Sequence, residues 1–304
     1  MFRPLLSALC LLALALLPTG AFAQYEHRPL PGFELERLQF DPGALGSLVV
    51  GTGRTLGQGV FRASVQLQYE QMPLSFEEGW DPQAGLGVVE GKFSTHVTAA
   101  YGVLPWLQVG AQLPFILNQS GSRVLDMVPP AKAGLGTPWL GVRAGLLQAQ
   151  NGAPLNLAVD VSGGLPVGSS SALAREGFML LPRLQAGLQS EGFQMGADLG
   201  VLLRSRKDFS ERSQREHDVL GNELRVGATV TSLGGKKTRG EVSALVGIPL
   251  SGGQVGGEVL LAIRRHALPW LDLYVLGGPG LGRAMDMPTF RVIAGASFSS
   301  VKID

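Results

Sequence analysis

Residues 92–115 read KFSTHVTAAYGVLPWLQVGAQLPF. Across 92–102, Phe93, Thr95, Val97, Ala99 and Tyr101 share one face, and Lys92, Ser94, His96 and Thr98 share the other. A Val-Leu-Pro-Trp turn follows. Leu107, Val109, Ala111, Leu113 and Phe115 then alternate with Gln108, Gly110 and Gln112. Period two on both sides of a short turn predicts a β-hairpin. Phe93 and Tyr101 close the two ends of the apolar face, and Phe115 ends the next strand. Rings at both ends with smaller residues between them suit a strand facing lipid, because aromatic side chains settle at headgroup level.

The same alternation recurs along the chain. It predicts strands near 60–69, 92–102, 107–115, 139–148, 155–165, 178–189, 193–203, 219–231, 239–250, 255–265, 270–278 and 289–299. Connections after the even-numbered strands are short: 103–106, 149–154, 190–192, 232–238 and 266–269. Those after strands one, three, five and seven are longer: 70–91, 116–138, 166–177 and 204–218. Short turns alternating with long loops on an even number of strands match outer-membrane barrels, with both termini periplasmic. The predicted fold is therefore all-β, an antiparallel transmembrane β-barrel of about 12 strands, within about 10–14. The alternative is a soluble secreted β-protein, which has no reason to keep that alternation.

Aromatic positions follow the barrel. Outward Phe61, Tyr101, Phe193 and Phe298 fall at the expected periplasmic rim, and Tyr69, Phe93, Phe115, Phe178 and Phe290 at the extracellular rim. The pairs 61/69, 93/101 and 290/298 each span nine residues. That is about 30 Å of strand, or about 23 Å of height at the usual tilt. Aromatics make up only 7% of the chain, thin for a membrane barrel.

The opposite face carries charge. Arg62, Arg143, Arg183, Arg225, Arg264 and Arg291 alternate with the apolar set, as do Asp160, Asp198, Glu223, Glu241, Glu258 and Asp272. In a membrane barrel these line the lumen. Arginine forks suit a hydrogen-bonded ion-pair network better than a loose cationic pore lining. Pro182 lies on the outward face of strand six and predicts a bulge or a late strand start.

Residues 1–23 form a signal peptide: Arg3, an apolar run from Leu5 to Leu17, and Ala21-Phe22-Ala23, with cleavage after Ala23. The run is too short for a spanning helix, and no later stretch approaches the ~20 apolar residues one needs. Cys10, the one cysteine, sits inside this signal without a lipoprotein box, so the mature chain has no disulfide or thiol chemistry. Without Arg3 the mature chain has 24 basic residues (25 − 1) against 24 acidic. That balance argues against nucleic acid as a partner. Residues 24–58, with Pro29, Pro31 and Pro42, predict an extended periplasmic segment or one tucked into the barrel, and 59–304 the barrel.

Residues 34–38 with Asp41-Pro42-Gly43 and 46–50, then 133–139, 164–168 with 172–177, and 276–280 form a set of landmarks. Together they resemble those of a family of OmpA-like outer-membrane proteins. The resemblance covers most of the mature chain and rests on structural Gly/Pro motifs. Longer members carry a peptidoglycan-binding domain after the barrel. This sequence ends at Asp304, so cell-wall anchoring is not carried over. Barrels that transport aromatic-degradation solutes look similar at this level. Gly295-Ala296-Ser297-Phe298 matches the core of the C-terminal signal read by outer-membrane assembly machinery, with Ser300 where a second apolar residue is usual.

Catalytic chemistry has thin support. His27, His96, His217 and His266 show no metal-site spacing. His217-Asp218 with Glu211 and Glu216 resembles the Asp/His sites of rim proteases, but a solvated charged loop is the better explanation. His96 beside Ser94 would need an orienting partner to act as a lipase-like base. Residues 51–57 and 235–238 lack phosphate-loop spacing. The expected protein is non-enzymatic, without cofactor or metal. It would be structural or porin-like, with an ion-paired lumen passing small solutes. The second reading is a transporter for a small apolar molecule. Expected partners are outer-membrane lipid and lipopolysaccharide, the assembly machinery and a small solute.

Overall fold

A computed structural model describes residues 30–76, 86–123, 128–213, 217–233, 237–282 and 284–301. The signal segment, its cleavage site, Cys10, His27 and Glu216 lie outside the described residues. Twelve long strands run in chain order. They are β1 (Phe61–Phe76), β2 (Leu86–Leu104), β3 (Leu107–Ser120), β4 (Trp139–Leu147), β5 (Asn156–Gly164) and β6 (Met179–Gln189). The second half holds β7 (Phe193–Leu202), β8 (Glu223–Ser232), β9 (Thr238–Pro249), β10 (Gly256–Leu268), β11 (Leu271–Gly282) and β12 (Phe290–Ser299). Each is antiparallel to the next, and β12 returns to pair with β1 from Arg62/Ser299 to Gln71/Phe290. The sheet closes on itself as a transmembrane barrel, so the twelve-stranded wall has no edge strand.

The wall shows the expected two faces. Along β10, Glu258, Leu260, Ala262 and Arg264 are buried inward, whereas Leu261 and Ile263 are 62% and 63% exposed outward. Among the predicted rim aromatics, Phe61 lies opposite Tyr101 and Tyr69 opposite Phe93 across β1 and β2. Phe178, Phe193, Phe290 and Phe298 are also exposed, and Trp270 packs on Phe298 with ring centroids 5.7 Å apart. Phe115 is only half-buried, because Gly134–Leu135 pairs alongside it.

Three local expectations need correction. β1 and β2 do not stop at Tyr69 and Phe93 but continue past them, with Leu74 opposite Val89. Leu74, Val88 and Val89 keep the hairpin going because they bury against Phe33 and Leu35. The eighth strand starts at Glu223 rather than near 219. Val219–Leu220 instead pairs with Lys207–Asp208 in the preceding loop, with both apolar side chains buried. At Pro182 there is neither bulge nor late start. Leu180 and Leu203 exchange backbone hydrogen bonds of 3.0 and 2.8 Å, and pairing resumes in the same register at Arg183/Gly200. The next hydrogen-bonded position would be Pro182, which has no N–H to give.

Residues 30–58 occupy the lumen. They begin at the long-loop end, where Leu35 N–H donates to the Leu173 carbonyl at 3.0 Å, and finish at the short-turn end, where Gly59 N–H donates to Gly102 at 2.8 Å. The segment therefore descends the whole interior before β1 begins. Its upper end is held by an apolar cap of Leu30, Phe33 and Leu35 with Leu74, Leu173 and Phe209, with Phe33 edge-on to Phe209 at 5.2 Å. Midway, Leu38, Phe40, Leu48, Val49 and Val50 pack against inward Leu260, Ala262, Tyr274, Leu276 and Ile293. The inner face is thus not polar throughout. An apolar sector of β10–β12 receives this thread, and burying both surfaces favours its place inside.

Candidate functional site

The candidate site is the interface between the thread and the wall. Extended backbone cannot satisfy its own N–H and C=O groups, so inside a barrel the wall must supply partners. It does so with inward side chains. Phe40 N–H donates to Gln112 at 3.0 Å, Leu48 N–H to Glu241 at 3.1 Å, Gly51 N–H to Asp198 at 2.9 Å and Leu56 N–H to Gln108 at 3.0 Å. The backbone also comes unusually near the wall. A Cβ at Gly187 would lie 2.3 Å from the Thr52 carbonyl oxygen, so only glycine fits there.

Charged groups pin the thread at successive heights. Nearest the long-loop end, Glu36 accepts from Arg291 at 2.8 Å and from Lys92 at 3.0 Å. Arg291 also holds Glu70 and Glu258, each at 2.9 Å, and Lys92 holds Glu70 at 2.9 Å. Two cations thus serve three carboxylates. Arg37 reaches the other way to Glu223 and, at 2.7 Å, to Asp286, while its carbonyl accepts from Arg225 at 3.1 Å. Lower down, both oxygens of Asp41 face the Arg143 fork, at 2.9 and 3.3 Å, and Asp160 is shared by Arg143 at 3.3 Å and Arg183 at 2.7 Å. Ser47 donates to Glu241. Breaking one member of such a buried pair costs about 3–5 kcal/mol, because the partner charge is left without compensation.

All twelve charges read from the alternation point inward. Ten are buried, and Arg183 and Arg225 are partly buried. Every one of the six arginines meets a wall carboxylate. The remaining contacts are Arg62–Asp272 at 2.7 Å, Arg225–Glu223 at 3.5 Å and Arg264–Glu241 at 3.9 Å. Sequence reasoning missed Glu70 and Lys92 on the wall, Asp286 in the β11–β12 loop, and the thread's Glu36, Arg37 and Asp41. Lys92 could have been found, since it begins the polar face of the opening hairpin. The thread residues have no periodicity to expose them.

Above the strands, Glu34 is fully enclosed between Thr137, whose N–H donates to it at 3.0 Å, and Glu176, which accepts from the Glu34 N–H at 3.3 Å. Burial pushes the Glu34 carboxyl up to about 7. Burial likewise raises Glu176. Asp286 also pays a burial penalty, but Arg37 and Arg204 outweigh it and hold its carboxyl below the usual range.

Among the described residues, His96 lacks the arrangement of a catalytic base. Ser94 Oγ and Glu36 both face His96 Nε2, at 3.4 and 3.7 Å, while Nδ1 is turned to Gln112 at 3.2 Å. A base needs its orienting carboxylate on the nitrogen opposite the nucleophile, and here both sit on one. His96 is also completely buried, edge-on to Phe40 at 5.2 Å. At the rim, His217 is exposed while Asp218 is buried. Among the described residues, no group of three or more His, Cys, Asp or Glu is arranged to hold a metal ion.

One cavity of ≈ 70 Å³ lies between Leu38, Leu181, Leu245 and Met287, with Arg225 and Glu258 on its wall. A second, of ≈ 30 Å³, lies between Phe40, Pro42 and Trp139. Each holds a few waters, not a drug-sized solute.

No family model matches the chain, and no curated protein matches it by sequence. Solved structures do. The COG4313 outer membrane channel from Pseudomonas putida F1 aligns with TM-score 0.61 and 15% identity, over 86% of this chain and all (100%) of that one. The NanC porin aligns with TM-score 0.52 and 10% identity, over 78% of this chain and 98% of that one. At such identities the likeness is one of fold. This chain has the twelve-stranded fold of an outer-membrane β-barrel channel.

Proposed function

We propose that this protein is an outer-membrane channel for small solutes whose lumen is closed at rest by its own residues 30–58. The observation that carries this reading is the thread itself, buried or half-buried from Leu30 to Leu56 and bound to the wall at successive heights. An open, water-filled general porin would leave that interior to solvent. The experiment is planar-bilayer recording of refolded mature protein beside Asp41→Asn. The account expects small, infrequent openings in the native protein and larger ones in the variant. Large steady conductance in the native protein would contradict it.

A second reading, a transporter for a small apolar compound, draws on the ≈ 70 Å³ cavity. Its lining mixes Leu38, Leu181 and Leu245 with charged groups and reaches Val226 and Val246, which are 39% and 40% exposed on the outer face. Uptake of such a compound into proteoliposomes without matching ion conductance would select it. The Gly/Pro landmarks support OmpA-like kinship for the barrel region. Removal of residues 1–23, lipid and lipopolysaccharide around the aromatic rims, and delivery by the assembly machinery complete the proposal.

A further inference from the structure

The cavities beside the thread form a series, because each touches the next through named residues. Arg37 and Glu223 line both a ≈ 10 Å³ cavity at the long-loop end and the ≈ 70 Å³ cavity below it. Gln39 and Arg183 line both the ≈ 70 Å³ cavity and the ≈ 30 Å³ one. Arg143, on the wall of that third cavity, donates to the Arg54 carbonyl at 3.2 Å. Arg54 in turn lines a mouth of ≈ 600 Å³ between the β4–β5 and β6–β7 turns. Exposed His217 borders the uppermost cavity, so the series runs from the long loops to the short turns. Leu260, Ala262, Tyr274, Leu276 and Ile293 line none of these spaces. The thread seals that apolar sector and leaves its gaps on the opposite, polar side.

The partition between the ≈ 70 and ≈ 30 Å³ cavities consists of two side chains of unlike freedom. Arg183 on β6 is fixed, with Nε and Nη2 donating to Asp160 at 3.2 and 2.7 Å. Gln39 on the thread is half-buried, and its Nε2 has no hydrogen-bond partner among the described residues. The backbone on either side of Gln39 is held. Phe40 N–H donates to Gln112 at 3.0 Å, and Arg37 and Asp41 are ion-paired to Asp286 and Arg143. A rotamer change at Gln39 breaks no bond at Nε2 and moves no backbone, whereas withdrawing the thread breaks its anchors one after another.

The lining also bears on what could pass. Five arginines and five carboxylates line the three enclosed cavities. Equal numbers leave no net field to draw in an ion of one sign, and a lone ion would lose its hydration on entry. We propose that this series is the translocation route, that Gln39 is its gate against Arg183, and that the solute is small, polar and without net charge. This inference rests on the channel reading and deepens it, since the solute passes a thread that stays pinned.

The test compares native protein, Gln39→Ala and Asp41→Asn in liposomes, read as swelling in isosmotic free glycine, a small zwitterion. Gln39→Ala shortens the gate and should quicken swelling severalfold. The heat-modifiable folded band should be unchanged, because Nε2 gives up no hydrogen bond. Arg183→Gln, the second variant, leaves a wall carboxylate in excess. Its reversal potential in a potassium chloride gradient should turn cation-selective, while the native value stays near zero. Swelling no faster in Gln39→Ala than in native protein would overturn the route, and the channel reading would stand if native or Asp41→Asn protein still swells. No swelling above empty liposomes in any of the three folded proteins would overturn both. A strongly ion-selective native protein would overturn the solute class.

Discussion

Asp41 of the thread and Arg143 of β4 meet fork to fork, carboxylate oxygens 2.9 and 3.3 Å from two guanidinium nitrogens, with both side chains buried. Arg143 also reaches Asp160, which Arg183 shares, so the thread is tied into a wall network and not merely leaned on it. Asp41→Asn should therefore cost about 3 kcal/mol or more. Denaturant titration of native, Asp41→Asn, Arg143→Gln and double-variant proteins checks this. The sum of the two single losses should exceed the double loss by about 1 kcal/mol or more, roughly the range of contacting pairs. Additive losses would mean the pair does not act as a unit.

Close backbone approach gives a second prediction. Gly187→Val would drive a side chain into the Thr52 carbonyl, since even a Cβ there comes within 2.3 Å. The lower thread should lift off while the barrel, held by its own strand ladders, stays folded. Bilayer recordings should show larger openings than the native protein, and gel mobility should remain heat-modifiable. Unchanged conductance in folded Gly187→Val would argue that the thread is not there.

The buried Glu34 carboxyl predicts a pH effect with a definite sign. Its folded value is raised from 4.5 to about 7 by burial, against the opposing pull of the Thr137 hydrogen bond, Lys92 and the Glu36 N–H. The folded state therefore holds the proton more tightly than the unfolded one. The stability this contributes is complete below about pH 4.5 and is lost as pH rises through about 7. After correction for intrinsic rates, exchange at the Leu35 amide should quicken between pH 5 and pH 8. In Glu34→Gln that pH dependence should disappear. A Leu35 amide equally protected at both pH values would count against the assignment.

The outer face predicts the effect of a buried charge. Ile263 is 63% exposed at the middle of β10, with Leu261 beside it. Ile263→Arg should cost about 2–4 kcal/mol in a bilayer, as cations at the midplane of such barrels do. The same change on a soluble β-protein would be near neutral. Folding into phosphocholine vesicles, followed by the gel shift, separates the two.

Much of the wall was legible in the sequence. Alternation located all twelve strands because each is solvated differently on its two faces, and one face must be apolar. It also identified the inward arginines and carboxylates, since a charge is affordable only on the lumen side. The thread was not legible in the same way. Extended chain packed on all sides has no two-face contrast, so Glu36, Arg37 and Asp41 read as ordinary loop charges. One clue was present but not used: Leu260, Ala262, Leu276 and Ile293 share the polar face of their strands, an anomaly unless something apolar lies against them. The strand ends at Leu74 and Val89 were missed for a related reason. Their apolar partners come from the thread and the long loops, far away in sequence.

The central claim is that residues 30–58 run inside the barrel. The sequence has no cysteine after Cys10, so a single introduced pair in the barrel reports cleanly. A Cβ at Gly196 would lie 3.3 Å from the Thr52 Cβ, close to disulfide reach. Thr52→Cys with Gly196→Cys should oxidise rapidly in intact outer membranes, tying thread to wall and abolishing modification by a thiol reagent. Two cysteines that stay reduced and freely modifiable in folded, heat-modifiable protein would contradict the account.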